Sequence, residues 1–276
     1  MRSASPKLSN LAKRVIVASV SAPLLLIGVF WSPYAYFGLF LFVSFVTLLE
    51  FYRLLATEIC PPRVICGLSL ALLVYATPFM VKINLLPQGF YMVLFPASAL
   101  VFLSELYRKG DAKPFTNLAY TFIGIVYVAL PFALLHFIAF YGGSYQPRII
   151  AGILLLTWAS DTGGYFAGRY FGRTKLFERV SPRKTWEGFV GSALLSLLIA
   201  WAVCAIFGVL PLWKWMVLGG LAITAGTFGD LVESLLKRSI HIKDSGSLLP
   251  GHGGFLDRFD AMLISLPFMA AFLELF

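Results

Sequence analysis

The residues best equipped for chemistry lie between positions 234 and 260, in SLLKRSIHIKDSGSLLPGHGGFLDRFD. An apolar helix there runs into a segment that sets Lys237, Arg238, His241, Lys243, Asp244, His252, Asp257, Arg258 and Asp260 among Gly246, Gly251, Gly253 and Gly254. Cations hold phosphate oxygens, carboxylates hold a hard metal ion, and glycines let backbone N–H groups approach an anion. These are the parts of a phosphoryl-transfer site. Two further acids stand inside apolar runs, where an ionisable group is costly and demands a reason. Asp161, in TWASDTGGYFAGRYFG, shares a helical face with Tyr165 and Gly168, beside the small residues Gly163 and Ala167. Asp230, in AGTFGDLVESLLKR, shares one with Glu233, Ser234 and Lys237. Each aspartate reads either as a structural partner for a Lys, Arg or hydrogen-bond donor, or as a member of a site. That both spans lead into basic loops favours the site.

Between these acids lies the most basic segment, RYFGRTKLFERVSPRKTWE at residues 169–187. Membrane loops on one side attract Lys and Arg regardless of function, so its charge alone is uninformative. Its end is more particular: Ser181 and Pro182 suit a turn, Arg183 and Lys184 can bind phosphate, and Thr185 or Glu187 can cap the following helix. No GxxxxGK[ST] is present, and GHGG is too short to identify a nucleotide fold. His241 and His252 lack a third soft ligand nearby, so oxygen donors dominate and Mg²⁺ with a triphosphate fits better than zinc. His136 reads as a satisfied core or interface residue. Cys60, Cys66 and Cys204 form no CxxC and imply neither a disulfide nor a metal framework.

The elements that must position these groups are membrane spans. Of 276 residues, 59% are hydrophobic and 13% charged, against about 25% charged in soluble domains. The chain reads as an all-α integral membrane protein with about nine transmembrane helices, at residues 14–31, 35–55, 64–81, 88–106, 117–141, 148–170, 188–209, 213–236 and 259–276. Residues 1–116 read as an N-terminal tail and four-helix scaffold, with Glu50 and Glu105 toward helix ends. Residues 117–276 read as a catalytic five-helix region with loops 169–187 and 237–258, in one continuous membrane domain. Residues 15–31 continue after a short turn into another span, which reads as a retained anchor rather than a cleaved leader. This topology divides the loops into two sets. Of the 22 lysines and arginines, only Lys82, Arg148 and Lys214 fall in the second. The positive-inside rule then puts the N-terminus and both charged loops in the cytoplasm and the C-terminus on the opposite side. The net charge of +9 is scattered over short loops, so it points to anionic lipid heads and phosphorylated substrates and not to nucleic acid.

The spacing of Ser234, Lys237, Arg238, Lys243, Asp244, Pro250, His252, Gly253, Gly254, Asp257, Arg258 and Asp260 resembles the signature of the CDP-diacylglycerol synthases, or phosphatidate cytidylyltransferases. DTGGYFAGRYFG and SPRKTWEG resemble two further motifs of that family, so the likeness covers residues 161–260. Two departures are small-for-small: Gly164 where alanine is usual, and Gly191 with Ser192 where a glycine pair is common. The resemblance implies transfer of the cytidylyl group of CTP to phosphatidic acid, giving CDP-diacylglycerol and pyrophosphate, with a divalent metal. It implies that Asp230 and Asp257 hold Mg²⁺, with a second cation in the same site left open, and that Asp161 and Asp260 support them. Lys237, Arg238, Lys243 and Arg258 would hold phosphates, alongside Asp244, Ser234, Gly253 and Gly254 of the signature. Ser181, Arg183, Lys184 and Thr185 would close over the nucleotide, and His252 would be a phosphate contact or acid. A CTP-dependent lipid kinase and a lipid or ion transporter are the alternatives. The expected setting is a bacterial plasma membrane, and the small-residue helix faces suit either a homodimer or packing within one chain.

Overall fold

The computed structural model describes residues 10–56, 62–107, 113–242, 245–246 and 253–276, with the side chains of 10–18 excepted. The expected loop residues Lys243, Asp244 and His252 lie outside the described residues. The helices are α1 (Asn10–Trp31), α2 (Pro33–Leu55), α3 (Val64–Lys82), α4 (Gln88–Leu106), α5 (Pro114–Ala139), α6 (Pro147–Phe171), α7 (Trp186–Phe207), α8 (Leu212–Ser239) and α9 (Leu256–Leu275). Seven helices among the described residues, α2 to α8, are long and apolar enough to cross a membrane. In α1 only Ser19–Trp31 is described as an apolar stretch, and α9 opens with Asp257, Arg258 and Asp260. The protein is a helical membrane protein.

Local chemistry sets the helix ends. Ser32 caps α2 by accepting the Ala35 N–H at 3.0 Å, and Pro33, Pro114 and Pro147 sit at helix starts, where a missing N–H is harmless. Gly208 ends α7 at φ +62°, in the left-handed region, with its N–H on the Cys204 carbonyl. Scaffold helices α3 to α5 are tied by Arg63, whose side chain donates to Glu105 at 2.5 Å and to the Ser104 carbonyl at 2.9 Å, and whose N–H donates to Thr121 Oγ1 at 2.8 Å. His136 is a core residue, as expected, though its Nε2 is buried with no hydrogen-bond partner among the described residues. Its Nδ1 is 3.1 Å from the Tyr36 hydroxyl, and the rings of Phe37, Tyr75 and Phe79 surround it.

The closest helix pair that serves the site is α6 against α7. A Cβ on Gly163 would strike the Gly191 carbonyl, and one on Gly191 would come 2.7 Å from the Gly163 carbonyl. At such contact the Ser192 hydroxyl donates to the Ser160 carbonyl at 2.7 Å and the Ser196 hydroxyl to the Leu156 carbonyl at 3.3 Å. Small residues and interhelical hydroxyl bonds are how apolar helices associate where hydrophobicity gives no advantage. The small-residue face of α6 thus packs inside the chain.

The segment expected as a basic loop contains an antiparallel hairpin of β1 (Lys175–Phe177) and β2 (Ser181–Thr185), with Lys175 opposite Thr185 and Phe177 opposite Ser181. Of the two expected cap residues, Thr185 caps α7, while Glu187 instead ties down the segment that enters the hairpin. Thr185 accepts the Gly188 N–H at 3.2 Å, while Glu187 reaches back to the N–H groups of Arg173 (3.0 Å) and Thr174 (3.1 Å). Trp186 N–H donates to the Thr174 carbonyl at 3.0 Å, closing the base of the hairpin. A short strand pair carrying this many charges has no apolar alternation, so hydropathy does not reveal it.

Candidate active site

The hairpin lies over one end of α6, α7, α8 and α9 and walls one side of a half-open cavity of about 470 Å³. Its walls bring together residues far apart in sequence. Asp161, Tyr165 and Gly168 come from α6, and Ser181, Arg183, Lys184 and Thr185 from β2. Helix α8 contributes Asp230 and Thr227, and α9 contributes Asp257, Arg258 and Asp260. Gly168 fits against Thr185 because a Cβ there would lie 3.3 Å from its Oγ1. Ser234 and Arg238 do not line this cavity. With Lys237 they face a smaller adjoining one, which shares Ser181 and Arg183.

Two lysines stitch the carboxylates. The Lys184 ammonium donates to Asp230 Oδ2 at 2.6 Å and to the Thr227 carbonyl at 3.2 Å, fastening the hairpin to α8. The Lys237 ammonium bridges Glu233 Oε2 at 2.5 Å and Asp257 Oδ1 at 2.7 Å, fastening α8 to α9. The other Asp257 oxygen accepts the N–H groups of Gly254 (2.9 Å) and Ser245 (3.1 Å). Gly253 precedes this turn at φ +79°, and a Cβ there would strike the Asp257 carboxylate, so glycine is required on both counts. Asp161, Asp230 and Asp260 lie within electrostatic reach of one another, and Arg258 is within reach of Asp161. Asp161 makes no hydrogen bond or ion pair among the described residues and opens onto the cavity.

Reasoning from sequence missed two contributors. Glu50, near the end of α2, is 4% exposed, and its Oε2 accepts the Leu256 N–H at 3.0 Å, capping α9 from the scaffold. Tyr127 lies in the π-helical stretch Ile125–Ala129 of α5, and its buried hydroxyl is within electrostatic reach of Asp260, Glu233 and Asp230. The signal for Glu50 was an acid in an apolar span, the same rule that singled out Asp161 and Asp230. For Tyr127 no sequence signal exists.

The fold and site define a polytopic helical membrane protein with carboxylates and cations gathered around one half-open cavity. The profile described as the cytidylyltransferase family matches residues 12–276, and the chain belongs to that family. It is 36% identical over 174 residues to the phosphatidate cytidylyltransferase of Staphylococcus saprophyticus, covering 63% of this chain and 65% of that protein. It is 44% identical over 124 residues to that of Bacillus subtilis, covering 44% and 46%. With that of Haemophilus influenzae the identity is 38% over 125 residues, covering 44% and 43%. In each comparison the matched stretch spans less than two thirds of the relative.

Proposed function

We propose that the protein transfers the cytidylyl group of CTP to phosphatidic acid, giving CDP-diacylglycerol and pyrophosphate. The observation that carries this reading is the cavity in which Asp161, Asp230, Asp257 and Asp260 stand beside Arg183, Lys184 and Arg258; the relatives' names agree with it. A phosphate oxygen of the lipid forms a bond to the α-phosphorus of CTP, and the bond from that phosphorus to the β-phosphate oxygen breaks. The lipid phosphate is already ionised near neutral pH, so no strong general base is needed. The protein's task is to place two anions within reach and offset their repulsion.

The donor set fits a hard divalent cation. Oxygen ligands dominate, and Asp161, Asp230 and Asp260 gather like charge that a cation would compensate. Among the described residues no three ligand-type side chains converge as a ready metal site. Asp230 and Asp257 would hold Mg²⁺, supported by Asp161 and Asp260. Mg²⁺ bound there supplies charge neutralisation at the transferring phosphoryl group. Lys184 and Lys237, which bridge Asp230 and Asp257, would keep those carboxylates in place beside the phosphate oxygens. Arg258 serves the same anions.

The wider setting follows the charge pattern. The protein spans the membrane about nine times, with the N-terminus and the cavity in the cytoplasm, where CTP is available, and the C-terminus opposite. The membrane is the bacterial inner membrane. Residues 117–276 carry the chemistry and residues 1–116 brace it, with Glu50 as the brace that touches the site. The test is stoichiometry: purified protein should release one pyrophosphate per CTP consumed, only with phosphatidate and a divalent cation present. CTP consumption independent of phosphatidate would refute the proposal.

A further inference from the structure

The groups of α9 that face the cavity, Asp257, Arg258 and Asp260, all lie in the opening LDRFD of that helix. A helix holds its first turn poorly, because the leading N–H groups have no carbonyl one turn back to bond. Phe255, the residue before α9, supplies no side-chain cap. The missing acceptor comes instead from α2, 206 residues away in sequence: Glu50, buried in the scaffold, accepts the Leu256 N–H on Oε2 at 3.0 Å. Its carboxylate also fills the space between two glycines. A Cβ on Gly246 would come 2.9 Å from Oε1, and one on Gly254 would strike Oε2. Gly246 is not in the left-handed region, so the contact and not the backbone conformation excludes a side chain there.

The same two segments are held from the other side by the site itself. Asp257 Oδ2 accepts the Ser245 N–H at 3.1 Å and the Gly254 N–H at 2.9 Å. Glu50 and Asp257 thus grip residues 245–246 and 253–256 between them, one from the scaffold and one from the cavity. Ring contacts broaden the brace. Phe42 of α2 meets Phe255 edge to face at 5.9 Å, and Phe51 meets Tyr127, whose hydroxyl is within electrostatic reach of Asp260, at 5.7 Å. As a joint made only for stability the arrangement is poor: Glu50 Oε1 is buried with no hydrogen-bond partner among the described residues, and a half-satisfied carboxylate in an apolar span is costly.

Resting on the cytidylyl-transfer reading, we propose that Glu50 is a positioning residue, which fixes Asp257, Arg258 and Asp260 of α9 against Asp161 and Asp230 on the neighbouring helices. It lines neither the cavity nor its smaller neighbour and acts only through the backbone it holds. The competing role is that of a counter-ion for Arg53, the exposed cation within electrostatic reach on the same helix. That role predicts a change in stability and none in turnover per folded molecule.

The experiment pairs turnover with amide exchange in full-length protein in detergent, the exchange being read without substrates. Glu50→Ala and Glu50→Asp, the latter withdrawing the carboxylate by one methylene, should lower kcat by about tenfold or more and change the KM for phosphatidate by less than about threefold, since a misplacement of about 1 Å costs on the order of 100-fold. Both should speed exchange at residues 254–258. Glu50→Gln, which keeps an acceptor for Leu256, should restore kcat and protection together, and it serves if the alanine variant does not fold. Gly246→Ala, which presses on the same carboxylate from its far side, should reproduce both effects in a protein that keeps Glu50. Variants that exchange faster or melt lower yet keep wild-type kcat per folded molecule would reduce Glu50 to a structural role and overturn the proposal. Slow turnover with wild-type exchange would overturn it too, since Glu50 would then act through charge rather than position. Wild type that protects residues 254–258 through Glu50 yet moves no cytidylyl group would instead refute the transfer reading alone.

Discussion

Replacing Lys237 by methionine separates its two roles. Its ammonium lies between Glu233, whose side chain is 2% exposed, and Asp257, at 10%. Methionine keeps the volume of the stem but leaves two carboxylates facing one another with no cation. Removing one partner of a buried ion pair costs about 3–5 kcal/mol, because the remaining charge is uncompensated. For a chain of this size that corresponds to a fall of about 6–20 °C in apparent melting temperature, at about 2–4 °C per kcal/mol. Adding Glu233→Gln removes one of the two stranded charges and should recover about half of the loss. Activity should not follow, because no ammonium is left for phosphate. The assay is thermal unfolding in detergent, paired with turnover at a temperature where all forms are folded. Wild-type stability in Lys237→Met would refute the buried-charge argument. Recovery of both stability and turnover in the double variant would show that Lys237 is only a counter-ion.

Other substitutions test other joints of the site. Lys184→Ala removes the 2.6 Å bridge to Asp230 and should lower kcat by about 100-fold or more, the scale of losing one preorganised charge contact, as read in the turnover assay. Asp257→Asn should be inactive and also melt lower, since it weakens the Lys237 bridge that joins α8 to α9; an inactive variant of unchanged stability would confine Asp257 to chemistry. Gly191→Val should cost about 1–3 kcal/mol by overpacking α6 against α7, while Gly220→Ala, where a Cβ would meet nothing within 4 Å, should match wild type in the same melting experiment.

Much of the site was legible because its chemistry is written in residue types that a membrane span does not otherwise tolerate. Asp161 and Asp230 stood out as acids in apolar runs, and both line the cavity. The signature residues Asp257, Arg258 and Asp260 and the SPRKT segment join them there. What stayed hidden depends on partners distant in sequence. The i,i+4 spacing of Glu233 and Lys237 puts that pair on one face, but nothing in the spacing says that Lys237 would also reach Asp257 or that Lys184 would meet Asp230. The part that Glu50 takes within the scaffold was hidden because it exists only once α2 packs beside Gly246, Gly254 and Leu256, far away in sequence. Helix positions followed from hydropathy, the expected 35–55 and 64–81 appearing as Pro33–Leu55 and Val64–Lys82. The hairpin at Lys175–Thr185 did not, since its pairing rests on Glu187 and backbone bonds rather than on apolar alternation.

The most direct test of the central claim supplies purified protein with phosphatidate, Mg²⁺ and CTP labelled in turn at the α- and γ-phosphorus, followed by separation of lipid from aqueous phases. Cytidylyl transfer predicts that α-label enters the lipid while γ-label stays in water as pyrophosphate. γ-Label in the lipid, with CDP released, would contradict it and identify a lipid kinase; unlabelled lipid with intact CTP would turn the cavity toward transport.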